Sequence, residues 1–210
     1  MKLYGAILSP FVRKVALVAE EKGLAYELAP FRTREGYLPE FLACSPFRKI
    51  PAIDDAGFTL SDSTAIALYL EARDPSPALI PEDPEGRGRA MWFDEFADTI
   101  LAASGLKILF NRLVGPKLLK IGGDEALALQ GEAELPPLLD WLESVAPAEG
   151  WLVGEDFTLA DISVAAMLRT LDYVGHGPGP ARPRTAAWYE RVVARPAWNA
   201  VAALEHPLPA

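Results

Sequence analysis

The chain has 210 residues, enough for one large domain or two modest ones, and half of them are hydrophobic with five tryptophans, so a sizeable core can be buried. Twenty basic against 29 acidic residues, a formal charge of −9, argue against nucleic acid as a partner, because affinity for a phosphate backbone rests on clustered Lys and Arg. No apolar run approaches the roughly 20 residues that span a bilayer, Arg13 and Lys14 interrupt any secretory-type stretch, and the single Cys44 excludes an internal disulfide or a Cys-x-x-Cys pair, so a cytoplasmic protein away from membranes is expected.

Lys2-Leu3-Tyr4 reads as a short strand, followed by the loop Gly5 to Leu8. Ser9-Pro10 supplies an N-cap and a first helical residue. Val12, Val15, Ala16 and Ala19 then recur at helical spacing, and Gly23 is a suitable stop. Ala25 to Leu28 is the next strand, and so short a strand–helix–strand run implies a right-handed crossover and parallel pairing. After an irregular stretch, Ala52-Ile53-Asp54 and Phe58-Thr59-Leu60 flank Asp55-Ala56-Gly57, a hairpin with the glycine its turn needs. A helix from Ser63 to about Arg73 follows, with Ile66, Tyr69 and Leu70 on one face.

Residues 74–84 hold four prolines in eleven positions and read as a stiff linker. Beyond them the pattern is helical. Trp92, Phe93, Phe96 and Ile100 mark a long helix; Leu138, Leu139 and Leu142 mark another, which Pro136-Pro137 should break or restart. Thr158 and Asp161 have the spacing of a capping box, with Phe157 and Ile162 placed as a hydrophobic staple. Trp188, Tyr189 and Trp198 are expected to pack the last helices together. The expected architecture is an α/β domain over residues 1–78 and an all-α domain over 85–210, joined by the 74–84 linker.

SPFVRKV at 9–15, SPFRKIPAI at 45–53, SDSTAI at 61–66, FTLADIS at 157–163 and RPAW at 195–198, in this order, resemble the cytosolic glutathione transferase family. The opening SPF looks most like its serine-type classes, tau and bacterial relatives. The resemblance covers the whole chain and implies a thioredoxin-like domain followed by a helical bundle. It also implies glutathione as co-substrate, with no metal or organic prosthetic group, and a homodimer active in detoxification.

Residue by residue, the resemblance assigns Ser9 as the catalytic group. Its hydroxyl would donate to the glutathione sulfur beside the start of a helix, favouring a thiolate whose free parent titrates near 8.5. Ile50 before Pro51, which is cis in thioredoxin-like folds, would pair through its backbone with the cysteinyl part of glutathione. Lys49 would meet the glycine carboxylate. Asp62 and Ser63 would grip the γ-glutamyl end, Ser63 at a helix start; Asp replaces the family's usual Glu and shortens the reach. Each also has a plainer reading: Ser9, Asp62 and Ser63 as caps, Pro51 as a strand-edge proline, and Lys49 as a solvated cation.

Arg48 stands where the family often has glycine, which restricts that turn. Phe47 lies where several classes carry an aromatic key for the partner subunit, with buried core or loop packing the alternative. Cys44 is expected to be a small buried hydrophobe, and His176 and His206 lack metal-ligand spacing. The reaction implied is attack of the glutathione thiolate on a small hydrophobic electrophile, held at the domain boundary. Rival readings are a noncatalytic binding or interaction module, and a glutathione-dependent isomerase needing a basic pocket, for which Arg112 and Lys117 are available.

Overall fold

The computed structural model describes residues 1–207. The chain separates into two compact units, the first Met1–Ile80 together with Arg195–Glu205, the second beginning at Pro81 and running to Ala194.

In the first unit β1 (Lys2–Tyr4), α1 (Pro10–Glu21), β2 (Glu27–Ala29), α2 (Pro39–Cys44), β3 (Ala52–Asp55), β4 (Phe58–Ser61) and α3 (Ser63–Arg73) follow in chain order. The sheet order is β2-β1-β3-β4, with β1 parallel to β2 and antiparallel to β3. Val12, Val15, Ala16 and Ala19, the apolar stripe of α1, are all fully buried, as their spacing predicts. Gly23 (φ 64°) ends the helix in the left-handed region. The second strand begins two residues later than expected. The β3–β4 turn places both Ala56 (φ 54°) and Gly57 (φ 95°) at positive φ, the geometry of a two-residue primed turn, and the Gly57 amide donates to Asp54 Oδ1 at 2.8 Å.

Two features depart from the chain-order division. The first part of the proline-rich segment is packed rather than free. Lys22 Nζ donates to the carbonyls of Asp74 (2.7 Å) and Pro77 (2.9 Å), Glu71 accepts from the Leu79 and Ile80 amides, and Leu79 and Ile80 are buried. The last helix returns to the first unit instead of joining the second. Trp198 is therefore buried in the first unit beside Arg13, while Trp188 is buried in the second and donates to Asp161.

Among the described residues the second unit is helical throughout. α4 (Pro84–Glu95) continues through a π-helical turn (Phe96–Leu101) into α5 (Ala102–Leu109) and a second π-helical stretch (Phe110–Leu119), with right-handed backbone at each junction. The long helix read from Trp92 to Ile100 is thus present, with its hydrogen-bond period locally widened. α6 (Glu125–Val145) runs unbroken through Pro136 and Pro137, contrary to the expected break. Each proline costs about 3 kcal/mol in a helix interior. Against that, Leu135, Leu139 and Leu142 are buried along one face, each contributing about 1.5–3 kcal/mol. Gly131 allows close approach to α5: a Cβ there would stand 2.6 Å from the Ser104 carbonyl oxygen. α7 (Leu159–Asp172) and α8 (Pro183–Val193) complete this unit, and α9 (Pro196–Ala202) lies in the first. The capping box at Thr158 is formed as its spacing predicts: Asp161 Oδ2 accepts the Thr158 amide at 3.1 Å.

Candidate functional site

The strand register brings three separated segments to one edge of the sheet. Ala29, Tyr4, Ala52 and Ser61 stand in one row across β2, β1, β3 and β4. Tyr4 is the last residue of β1, Ala52 the first of β3 and Ser61 the last of β4. The loop to Ser9, the Ile50-Pro51 peptide and the Asp62-Ser63 pair therefore all leave the sheet at the same edge.

At Ser9 the chain has φ −69° and ψ 128°, the extended backbone of an N-cap, yet its hydroxyl makes no capping hydrogen bond. Its main chain is fixed instead: the Ser9 amide donates to the Ala6 carbonyl at 2.9 Å, and the Ser9 carbonyl accepts the Arg13 amide at 3.0 Å. The preceding loop folds tightly over α1, where a Cβ on Gly5 would fall 2.4 Å from Val12 Cγ2. Ser9 thus occupies a cap position without using its side chain as a cap.

The Ile50–Pro51 peptide is cis. The loop before it is held by Ser45, a buried residue the sequence reading passed over. Its hydroxyl donates to the Lys49 carbonyl at 2.7 Å and accepts the Lys49 amide at 3.0 Å. The Lys49 side chain is exposed. Arg48 adopts φ 60°, the conformation that glycine would take without cost, and its guanidinium lies 5.7 Å from the Tyr37 ring centroid. Phe47 is 83 % exposed, so it is not a core residue of this chain. Cys44 is buried as expected; burial first, and then the negative field of Asp54, push its thiol up and disfavour a thiolate there.

Asp62 caps α3. Its Oδ1 accepts from the Thr64 and Ala65 amides, both at 3.0 Å, at a backbone φ of 85°. Ser63 opens the helix and is buried. Lys14, buried in α1, donates from Nζ to Thr64 Oγ1 at 3.0 Å and so ties the helix after Ser9 to the helix after Asp62. Two helix N-termini thus begin at this edge, and their partial positive charge favours anions.

The opposite edge carries Lys2, Glu27 and Asp54 in register and a cleft of about 500 Å³ lined by Met1, Tyr26 and those three residues. None of the candidate residues lies there. Among the described residues no group of three or more His, Cys, Asp or Glu side chains is placed to hold a metal ion, and no helix is long and apolar enough to cross a membrane. His176 instead faces Glu132 at 2.9 Å. Arg112 is held by Glu125 and Glu132, both at 2.6 Å, so its charge is already matched by two carboxylates.

A parallel–antiparallel four-stranded sheet with a cis-proline at one edge, followed by a helical unit, defines a thioredoxin-like protein of the two-unit kind. Residues 3–78 match the glutathione S-transferase N-terminal domain, and residues 101–196 match the C-terminal domain. The chain is 35 % identical to glutathione S-transferase 3 of Zea mays, covering all of this chain and 96 % of that one. It superimposes with a TM-score of 0.84 on glutathione S-transferase-I bound with lactoylglutathione, at 29 % identity over 97 % of this chain and 99 % of the other. It is also 28 % identical to FtsZ-localized protein A of Caulobacter vibrioides, over 95 % of this chain and 90 % of that protein. The chain belongs to the glutathione S-transferase family.

Proposed function

We propose that the protein is a glutathione transferase that binds glutathione at the Ser9, Ile50-Pro51 and Asp62-Ser63 edge and directs its thiolate at a hydrophobic electrophile. The observation that carries this reading is the register row Tyr4–Ala52–Ser61, from which all three segments depart. Ser9, with no capping bond on its hydroxyl, donates to the sulfur, and the start of α1 adds favourable field. The Ile50 backbone pairs with the cysteinyl unit as a short added strand. Lys49 meets the glycine carboxylate, and Ser63 takes the γ-glutamyl carboxylate at the start of α3. Asp62 keeps Oδ1 on its two amides and presents its other oxygen to the ammonium. Catalysis is then proximity plus thiolate stabilisation, with glutathione as co-substrate and no prosthetic group.

The test is retention on immobilised glutathione, followed by turnover on aryl halides, epoxides, peroxides and disulfides. Retention with conjugation of an aryl halide supports the reading, and failure to bind glutathione removes it. Ser9→Ala should leave glutathione affinity within about twofold but raise the bound thiol's pKa by about one unit, lowering conjugation near neutral pH several-fold, by at most about tenfold. An unchanged thiol titration would take Ser9 out of the mechanism.

The protein acts as a cytoplasmic homodimer in this reading, with the exposed Phe47 inserted into a second copy. Phe47→Ser should shift the sedimentation profile toward monomer at micromolar concentration; an unaltered profile would assign Phe47 another role. A noncatalytic interaction module is the second reading, favoured by the likeness to FtsZ-localized protein A. Glutathione binding without turnover on any electrophile would select it. The isomerase reading loses support from Arg112, whose guanidinium is taken by Glu125 and Glu132.

A further inference from the structure

Arg13 lies in α1 one turn beyond Ser9 and is fully buried. Its Nη1 donates to Glu205 Oε1 at 2.7 Å, and its Nη2 donates to the Ile7 carbonyl at 3.0 Å. The guanidinium lies 5.9 Å from the Trp198 ring centroid. Ile7 belongs to the loop between β1 and α1, and the Arg13 amide donates to the Ser9 carbonyl. Arg13 therefore touches the Ser9 turn twice, through its main chain at residue 9 and through its side chain at residue 7.

An apolar side chain would fill this space without the cost of burying a charge. A planar fork holds a loop carbonyl and a carboxylate in two fixed directions at once, where an ammonium is a point charge with freely rotating donors. The carboxylate comes from the far end of the sequence. Glu205 follows α9, and α9 is itself tethered by Arg195, whose Nε and Nη2 both reach the Glu21 carboxylate at 2.6 Å.

We propose that Arg13, held by Glu205, is a positioning residue that fixes the turn at residues 6–9 and through it the direction of the Ser9 hydroxyl. A segment near the C-terminus thereby sets the geometry of the thiolate site. The catalytic consequence rests on the glutathione reading; the fixing of the turn does not.

Arg13→Lys keeps the charge but loses the fork, and Glu205→Gln keeps the shape but loses the charge. Glu205 is partly exposed, with 17 % side-chain accessibility, so the second variant disturbs folding least. In the protein without glutathione, both variants should show several-fold faster amide hydrogen exchange over residues 6–9, with α3 unchanged. With glutathione bound, ultraviolet difference titration should place the thiol pKa about one unit higher than in wild type. Conjugation of 1-chloro-2,4-dinitrobenzene near neutral pH should fall several-fold in kcat, by at most about tenfold, with little change in the KM for glutathione. Glu205→Asp should recover part of the loss. Wild-type exchange at 6–9 overturns the proposal, and so does faster exchange with an unmoved thiol titration. A wild-type protein that fails to bind glutathione removes the transferase reading, while the exchange measurement still decides whether Arg13 and Glu205 fix the turn.

Discussion

Arg48 and Asp62 hold positive φ without being glycine (60° and 85°), and each lies in a segment that leaves the sheet beside the candidate site. For an L-residue the left-handed region costs about 1–2 kcal/mol, and such residues persist where the surroundings over-determine them. Asp62 returns part of the cost by accepting two helix amides, a cap worth about 1 kcal/mol. Arg48 has the Tyr37 ring beside its guanidinium, worth about 0.5–1 kcal/mol at an exposed site. Comparing Arg48→Gly with Arg48→Ala separates the two effects, since both lose the ring contact and only glycine relieves the backbone. The glycine variant should be more stable than the alanine variant by about 1 kcal/mol in urea unfolding; equal stabilities would mean that the turn relaxes in the alanine variant.

At the scale of the element, α7 is anchored by one buried side chain. Asp161 is fully buried and accepts from the Thr158 amide, from the Leu152 amide at 2.9 Å and from Trp188 Nε1 at 2.8 Å. Burial pushes its carboxyl up against the opposing pull of these donors, the Leu152 amide and the Trp188 ring foremost. Asp161→Ala would leave buried donors unpaired in addition to losing the cap. It should cost about 2–4 kcal/mol, read from the urea midpoint at constant slope. A loss below about 1 kcal/mol would mean that water replaces the carboxylate. α6 shows the reverse balance: its two prolines are overridden because the apolar face, with Gly131 pressed against α5, is buried along its length.

At the scale of the whole molecule, ion pairs in the second unit contribute to the acid side of the stability profile. Arg112 first, and then His176, hold the Glu132 carboxyl below the usual carboxylate range; Lys107 first, and then Gln130, do the same for Glu134. A carboxyl whose folded pKa is depressed contributes stability that is fully present above its unfolded pKa, about 4.3, and is lost as pH falls through the folded value. The melting temperature should therefore drop below about pH 4.3, and Glu132→Gln should make that drop shallower. Parallel curves for variant and wild type would show that this pair does not couple to folding.

Local chemistry made much of this legible in advance. The stripe of α1, the hairpin at Ala56-Gly57, the start of α3 at Ser63 and the Thr158 capping box each depend on residues within a few positions of one another, so short-range spacing suffices to read them. The order of strands and helices before the linker follows from the same local signals, and so does the helical character of what comes after it. The family motifs marked the segments at 9, 49–51 and 62–63. Their arrival at one sheet edge, however, is a matter of strand register, which the tertiary structure decides. The same is true of Ser45 clamping Lys49, of the packed linker residues Leu79 and Ile80, and of α6 surviving two prolines. Arg13 and Lys14 read as ordinary charges in a helix, and only contacts 192 and 50 positions away in the chain explain why they are buried. Backbone preference and periodicity act over one or two turns and are written in order along the chain; burial and ion pairing depend on which distant segments meet, and that is settled only when the whole chain has packed.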